Sequence, residues 1–368
     1  MISSIEINGY RGLERFEMTG LGRVNLLVGT NNSGKTSVLE ALYLLNSRGN
    51  PMSLWQLLWR RGERLPGTPK PGGRPIQPEL DVCHLFTGHE IHSTSSFKLS
   101  AKNQIPERSV TFTIVPWNAK DDAVVSTEEG GPITTRLAIQ IRGTQRQELL
   151  TLPLTRSGGI TTETLDAPPR RMRTRISEEN PSQFITTESL DSDDLVSLWD
   201  KVALTSNEEL VIQALKFLDP DLMRIAAQAS PQNYYGMPFR GGFIIRRKGN
   251  DQPIPIGSMG DGMWRMLAMA ISITQCRGGV LLVDEIDTGL HYTVMTDMWK
   301  LIYNAAKQFD VQVFATTHSY DCIYSLAQVC GSEEDKITVQ RIEAGKSTSV
   351  PYSENEIRIA ADRQIEVR

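Results

Sequence analysis

The sequence is short of cysteine, of long apolar runs and of net charge, and each shortage removes a class of protein. Four cysteines (Cys83, Cys276, Cys322 and Cys330) are scattered through 368 residues without paired spacing. That excludes a disulfide framework and points to a reducing cytosol. Cys276 and Cys322 fall in apolar segments, where a thiol behaves as a small hydrophobe. No apolar run reaches the roughly eighteen residues that a membrane helix needs, so no membrane partner is expected. The start, Met1-Ile2-Ser3-Ser4-Ile5-Glu6, lacks the basic-then-apolar pattern of a secretory signal. With a formal charge of −4, bulk electrostatics gives no drive toward nucleic acid, so such binding needs a local basic patch. Two stretches offer one: Arg60, Arg61, Arg64, Lys70 and Arg74, and then Arg170, Arg171, Arg173 and Arg175. Each also reads as a solvated, mobile loop. There is no internal repeat and no heptad run long enough for a coiled-coil arm.

What is present is an α/β pattern split between the two ends of the chain. Ile5 and Ile7 alternate with polar residues, a turn follows at Tyr10-Arg11-Gly12-Leu13, and Val24 to Val28 read as a buried strand. Val38, Leu39, Leu42 and Leu45 then fall at helical spacing, and Gly49-Asn50-Pro51 ends that helix. Residues 60 to 77 read as loop, 80 to 154 as recurrent short strands, and 156 to 183 as loop again. Thr205 to Glu208 fits a capping box ahead of Leu210, Val211, Ala214, Leu215 and Leu218. Phe243 to Arg247 reads as a strand leading back to the core. From Gly257 onward strands and helices alternate. Helices are expected over 261–275, 292–308 and 320–329, and strands over 280–283, 311–315 and 337–342. This alternation implies a parallel sheet covered on both faces.

Four motifs carry chemistry. Gly29-Thr30-Asn31-Asn32-Ser33-Gly34-Lys35-Thr36 fits G-x-x-x-x-G-K-[ST] between a buried strand and a helix. Its backbone N–H groups, with the following Ser37, are expected to cradle phosphate oxygens. Lys35 reaches the β- and γ-phosphates and Thr36 ligates Mg²⁺. Second, the strand Val280–Val283 ends in Asp284-Glu285. There Asp284 can hold Mg²⁺ and Glu285 can polarise an attacking water as general base. Third, Gly257-Ser258-Met259-Gly260-Asp261-Gly262 opens a helix and offers a second anion-binding surface through Ser258, Gly260 and Gly262. It resembles the signature motif of ABC and SMC-like ATPases, whose Ser and Gly contact the γ-phosphate held by the opposite subunit. Fourth, Thr316-Thr317-His318-Ser319 follows a buried strand. In the ABC-like family a His at this place senses the γ-phosphate, and Asp287 fits the loop that crosses the dimer interface.

Together with Tyr10-Arg11-Gly12-Leu13 and Val283 to His291, these motifs resemble an OLD-type AAA/ABC-like ATPase. The likeness covers roughly residues 1–46 and 240–330. It implies an ABC-type head that binds ATP with Mg²⁺ and forms a homodimer or higher homo-oligomer. It also implies work with a Toprim or other nuclease in phage defence or DNA repair. The stretch after Ser319 is too short for a Toprim domain, so the nuclease is expected as a separate chain. Several residues depart from the pattern. Asp261 stands where transporter ATPases have Gly, and no Q-loop glutamine can be placed, Gln56 being near the phosphate loop only in sequence. Arg11 reads equally as a nucleotide contact or as a surface arginine. Asp191-Ser192-Asp193 suits a helix cap better than a metal-binding acid pair. Cys83, His84, His89 and His92 fit no common structural-zinc spacing.

The expected fold is α/β, an ABC/SMC-like P-loop head with a mostly parallel core sheet, an antiparallel β-rich first lobe and a helical insertion. One composite domain spans 1–368, its head built from 1–155 and 240–345 and its insertion from 156–239. Two functions follow: a cytoplasmic ATPase that regulates a separate effector, or a nucleotide-gated scaffold with little turnover.

Overall fold

The computed structural model describes residues 1–65, 78–103, 107–117, 136–144, 149–162, 181–228, 242–250, 252–331, 337–365 and 367. In chain order the first half gives β1 (Ile2–Tyr10), β2 (Leu13–Thr19), β3 (Val24–Val28), α1 (Lys35–Asn46), α2 (Pro51–Arg61), β4 (Arg64–Leu65) and β5 (Glu79–Asp81). It continues with β6 (Ser96–Asn103), β7 (Arg108–Trp117), β8 (Arg136–Gly143), β9 (Leu150–Pro153) and β10 (Gly159–Thr161). The second half begins with β11 (Ser182–Ile185), α3 (Ser192–Trp199), α4 (Ser206–Lys216), β12 (Leu222–Ala227), β13 (Phe243–Arg247), β14 (Ile254–Pro255) and α5 (Asp261–Gln275). It ends with β15 (Val280–Val283), α6 (Tyr292–Gln308), β16 (Gln312–Thr316), α7 (Tyr320–Ala327), β17 (Ile337–Arg341), β18 (Val350–Tyr352) and α8 (Glu354–Asp362).

The central sheet runs β11-β15-β16-β3-β17-β18, parallel throughout except for the edge strand β18. Every residue of β3, β15 and β16 is buried, as a parallel sheet covered on both faces requires. Alternation along β3 divides the core in two. Val24, Leu26 and Val28 join the cluster built with α5 and α6, whereas Leu27 joins the one built with α1 and the first lobe. That lobe is an antiparallel sheet in the order β2-β1-β6-β7-β8-β9. Buried amides pin it to the central sheet. The Gln312 side chain accepts the Ile2 N–H at 2.7 Å and donates to the carbonyls of Ile2 and Gly22, each at 2.8 Å. A buried amide left unpaired would cost about 1–3 kcal/mol, so these bonds fix the register of the two chain ends.

The architecture is the expected one, with local differences. Asn50-Pro51 ends one helix and also starts another: Asn50 Oδ1 accepts the Met52 N–H at 2.9 Å and Pro51 fills the first turn of α2. The segment 156–239, expected as an insertion, contributes β11, which pairs in parallel with β15 as an edge strand of the central sheet. β13 does not return to that sheet; it pairs antiparallel with β12 and β14. Asp191 caps α3 through the Asp194 N–H at 2.8 Å, as expected. Thr205 caps α4 through the Asn207 N–H, with Glu208 taking the Leu204 N–H rather than that of the cap residue.

Candidate active site

The register pairs Val283 with Ala315 and Ala315 with Leu26, so the carboxyl ends of β15, β16 and β3 lie side by side. Open α/β sheets bind ligands at this edge. The loop after β3 can follow its path only because Gly29 sits at φ 143°, where a Cβ would lie 2.1 Å from the Ile342 carbonyl oxygen. Gly34 is the N-cap of α1 and no side chain caps that helix, whereas Asn50, Asp191 and Thr205 cap α2, α3 and α4. The first N–H groups of α1 are therefore open to an anion. Ser33 Oγ is buried without a hydrogen-bond partner. Lys35 is buried, its Nζ donating to the Gly29 and Thr30 carbonyls at 2.9 and 2.8 Å, which leaves one N–H of the ammonium to spare. Burial pulls the Lys35 pKa down, and the charges of Asp284 and Glu285 pull it back up. Asn31 and Asn32 are exposed at the rim, and Ser37 is half-buried on α1.

Opposite this loop, the Thr36 hydroxyl stands 3.0 and 3.2 Å from the two oxygens of Asp284. A phosphate with Mg²⁺ fits this donor set. Thr36 and Asp284 supply adjacent hard oxygens, Ser33 an orphaned hydroxyl, and Lys35 and the α1 terminus positive charge. Glu285 follows Asp284 with φ 48°, a left-handed conformation that costs a non-glycine residue energy. The Thr288 hydroxyl lies 3.4 Å from Glu285 Oε2.

Two residues that sequence reasoning did not single out, Thr316 and Arg265, hold the acid pair in place, and a third, Thr317, holds Asp287. Thr316 Oγ1 donates to Asp284 Oδ1 at 2.6 Å and accepts the Glu285 N–H at 2.7 Å. Arg265 of α5, only 2% exposed, donates to the carbonyls of Thr186, Asp284 and Glu285, joining the ends of β11 and β15. Burial pushes its guanidinium down to about 10 against the opposing pull of Asp284, Asp287 and Glu285. Thr317 Oγ1 donates to Asp287 Oδ1 at 2.6 Å and accepts the Ser319 N–H at 2.9 Å. The available signal was position: both threonines directly precede His318 at the end of a buried strand. Arg265, lying among apolar residues on a buried helix face, also had no visible partner in the sequence.

His318 is half-buried just beyond Thr317. Asp287 is half-buried, and its carboxylate is engaged by Thr317 of its own chain. Gly257, Ser258, Gly260 and Asp261 are exposed. Gly262 packs on the turn after the acid pair, where a Cβ would lie 2.6 Å from the Gly289 carbonyl oxygen. Among the described residues no hydrogen bond joins Ser258, Gly260 or Gly262 to residues 29–37. Arg11 is not a surface residue: in the turn between β1 and β2 it is buried at φ 51°, paired with Glu40 at 2.7 Å and Glu63 at 2.5 Å. Gln56 faces α1, accepting from the Tyr43 hydroxyl at 2.6 Å. Of the basic stretches, Arg61 pairs with Glu40 and Arg64 stacks over Trp59. Lys70, Arg74, Arg170, Arg171, Arg173 and Arg175 lie outside the described residues.

Residues 1–122 match a family model described as an AAA ATPase domain. Residues 161–321 match one described as an AAA domain, putative AbiEii toxin, Type IV TA system. An ATP/GTP phosphatase of Helicobacter pylori is 21% identical over 394 residues, covering 97% of this chain and 99% of the relative. The DNA replication and repair protein RecF of Bacillus cereus is 41% identical over 44 residues, 12% of each chain. Among solved structures, an SMC head bound to the C-terminal winged-helix domain of ScpA superposes with a TM-score of 0.51. It is 15% identical, and the match covers 96% of this chain and 97% of that one. The fold is that of an SMC-like P-loop head, and the chain is an ATPase.

Proposed function

We propose that this chain binds ATP with Mg²⁺ at residues 29–37 and hydrolyses it between two copies packed head to tail. The observation that carries the reading is the Thr36–Asp284–Thr316 contact, which holds the phosphate-loop hydroxyl against the acid pair. Lys35 and the α1 N–H groups bind the phosphates, while Thr36 and Asp284 hold the cation, which when bound neutralises phosphate charge. Glu285 accepts a proton from the attacking water, and His318 orients it beside the γ-phosphate. Ser258 and Gly260, which are exposed, and Gly262, which is half-buried, make no hydrogen bond to their own phosphate loop and close over nucleotide held by the other copy. Asp287, fixed by Thr317, shapes the turn between Glu285 and Gly289 on which Gly262 rests. Nucleotide then biases which of two conformations a partner meets.

That partner, in this reading, is a separate effector, a Toprim or other nuclease acting in antiphage defence or DNA processing in the cytoplasm. The OLD-like motif order and the local likeness to RecF support a DNA-directed role. Nucleic acid itself, held by the 170–175 arginines, is part of the same reading. Four free thiols fit a reducing compartment, and no helix among the described residues is long and apolar enough to cross a membrane.

The test is the solution mass of wild type and Glu285→Gln, with and without Mg-ATP, alongside phosphate release from ATP and from GTP. Mass should double with Mg-ATP and persist longest in Glu285→Gln. An ATP-dependent mass change without phosphate release would favour the nucleotide-gated scaffold. A mass and a melting temperature both indifferent to nucleotide would refute the reading.

A further inference from the structure

Outside the nucleotide site, the turn after β5 gathers ligand-bearing side chains that the spacing of Cys83, His84, His89 and His92 concealed. We propose that Asp81, Cys83 and His84 form a site for a zinc-class divalent cation, with His89 holding the His84 ring from behind. One ligand atom from each of the three lies within 4.8 Å of the other two. A tetrahedral shell with bonds of about 2.0–2.3 Å sets ligand atoms roughly 3.3–3.6 Å apart. Side-chain rotation of three half-exposed residues covers that difference. Thiolate and imidazole are the donors that zinc takes over magnesium or calcium.

The arrangement around the three supports the assignment. Asp81 Oδ1 accepts the Cys83 N–H at 2.9 Å, which turns the carboxylate into the loop, and Asp81 Oδ2 stands 3.7 Å from His84 Nε2. His84 Nδ1 lies 3.3 Å from His89 Nδ1. With Nε2 given to a cation, Nδ1 carries the proton and donates it to His89, the outer bond that a metal-binding histidine ordinarily makes. The His89 N–H in turn donates to the Phe86 carbonyl at 3.1 Å, bringing the loop back onto the turn. His92 is not part of the group; it is exposed and faces Glu90 at 3.4 Å. All three side chains are half-exposed, which suits water as the fourth ligand.

The cluster rests on the network below the first lobe. The Asp81 N–H donates to the Glu63 carbonyl at 3.0 Å, and the His84 carbonyl accepts from Arg11 Nη1 at 3.4 Å. Arg11 reaches Glu40 of α1. A cation here therefore braces the first lobe against the helix that follows the phosphate loop, a structural rather than a reacting role.

The experiment titrates the metal-stripped full chain with Co²⁺ in the absence of nucleotide and reads the near-ultraviolet thiolate-to-cobalt charge-transfer band. Wild type should bind a single equivalent that gives this band and is displaced by Zn²⁺. Cys83→Ser should lose the band, and His89→Ala should keep it while weakening Co²⁺ binding roughly 10–100-fold. Cobalt at Thr36 and Asp284 meets only oxygen donors and gives no such band, so failure of the nucleotide site is distinguishable. A wild type without the band, or a Cys83→Ser protein that keeps it, overturns the proposal. Unchanged affinity in His89→Ala removes the supporting role of His89.

Discussion

Thr316→Val tests whether one hydroxyl holds the acid pair. Valine matches threonine in shape, so the change opens no cavity at a position only 1% exposed. It removes two hydrogen bonds at once. Asp284 loses a donor at 2.6 Å, a charge-assisted bond of roughly 1.5–3 kcal/mol. The Glu285 N–H, bonded at 2.7 Å, loses its acceptor, a further cost of roughly 1–3 kcal/mol. The two share one oxygen and are not additive, so a destabilisation of about 3 kcal/mol is expected. Freed from Thr316, the Asp284 carboxylate keeps only Thr36, and a displacement of order 1 Å at a reacting group costs about 100-fold in rate. Thr316→Ser retains both bonds and gives up one methyl, about 1 kcal/mol, with near-normal turnover. Urea unfolding and steady-state ATPase assays over a Mg²⁺ titration read both effects. If Thr316→Val stays within about 0.5 kcal/mol of wild type with an unchanged Mg²⁺ requirement, the hydroxyl does not organise the site.

Two further substitutions probe the same edge of the sheet. Arg265→Lys keeps a charge but cannot span the carbonyls of Thr186, Asp284 and Glu285 together. A loss of about 2–4 kcal/mol and a fall in kcat larger than any change in KM are expected, read by unfolding and kinetics. A change in KM alone would mean that Arg265 acts on binding. Gly29→Ala places a methyl 2.1 Å from the Ile342 carbonyl oxygen at φ 143°. The loop must shift, and the melting-temperature rise produced by Mg-ATP, on the order of 2.7 kcal/mol of stabilisation at 100 Kd, should vanish. A variant that retains that rise would show the loop path to be adaptable.

Much of this protein was legible in its sequence because the signals are local. The run Val24–Val28, the glycine spacing to Lys35, and the strand ending in Asp284-Glu285 each need only a few neighbouring residues to be read. The chain alone thus fixed the P-loop, the acid pair and the alternation that demands a parallel sheet. It did not reveal α2, since Asn50-Pro51 both stops and starts a helix. It also did not reveal β11, a four-residue strand whose place is set by β15. Nor could it show that Arg11 is buried between Glu40 and Glu63, that Thr316 bridges both acids, or that Arg265 ties their carbonyls to α5. Those contacts join residues 19 to 52 positions apart. A buried polar group finds its partner only when the sheet closes and water is no longer available to take that partner's place.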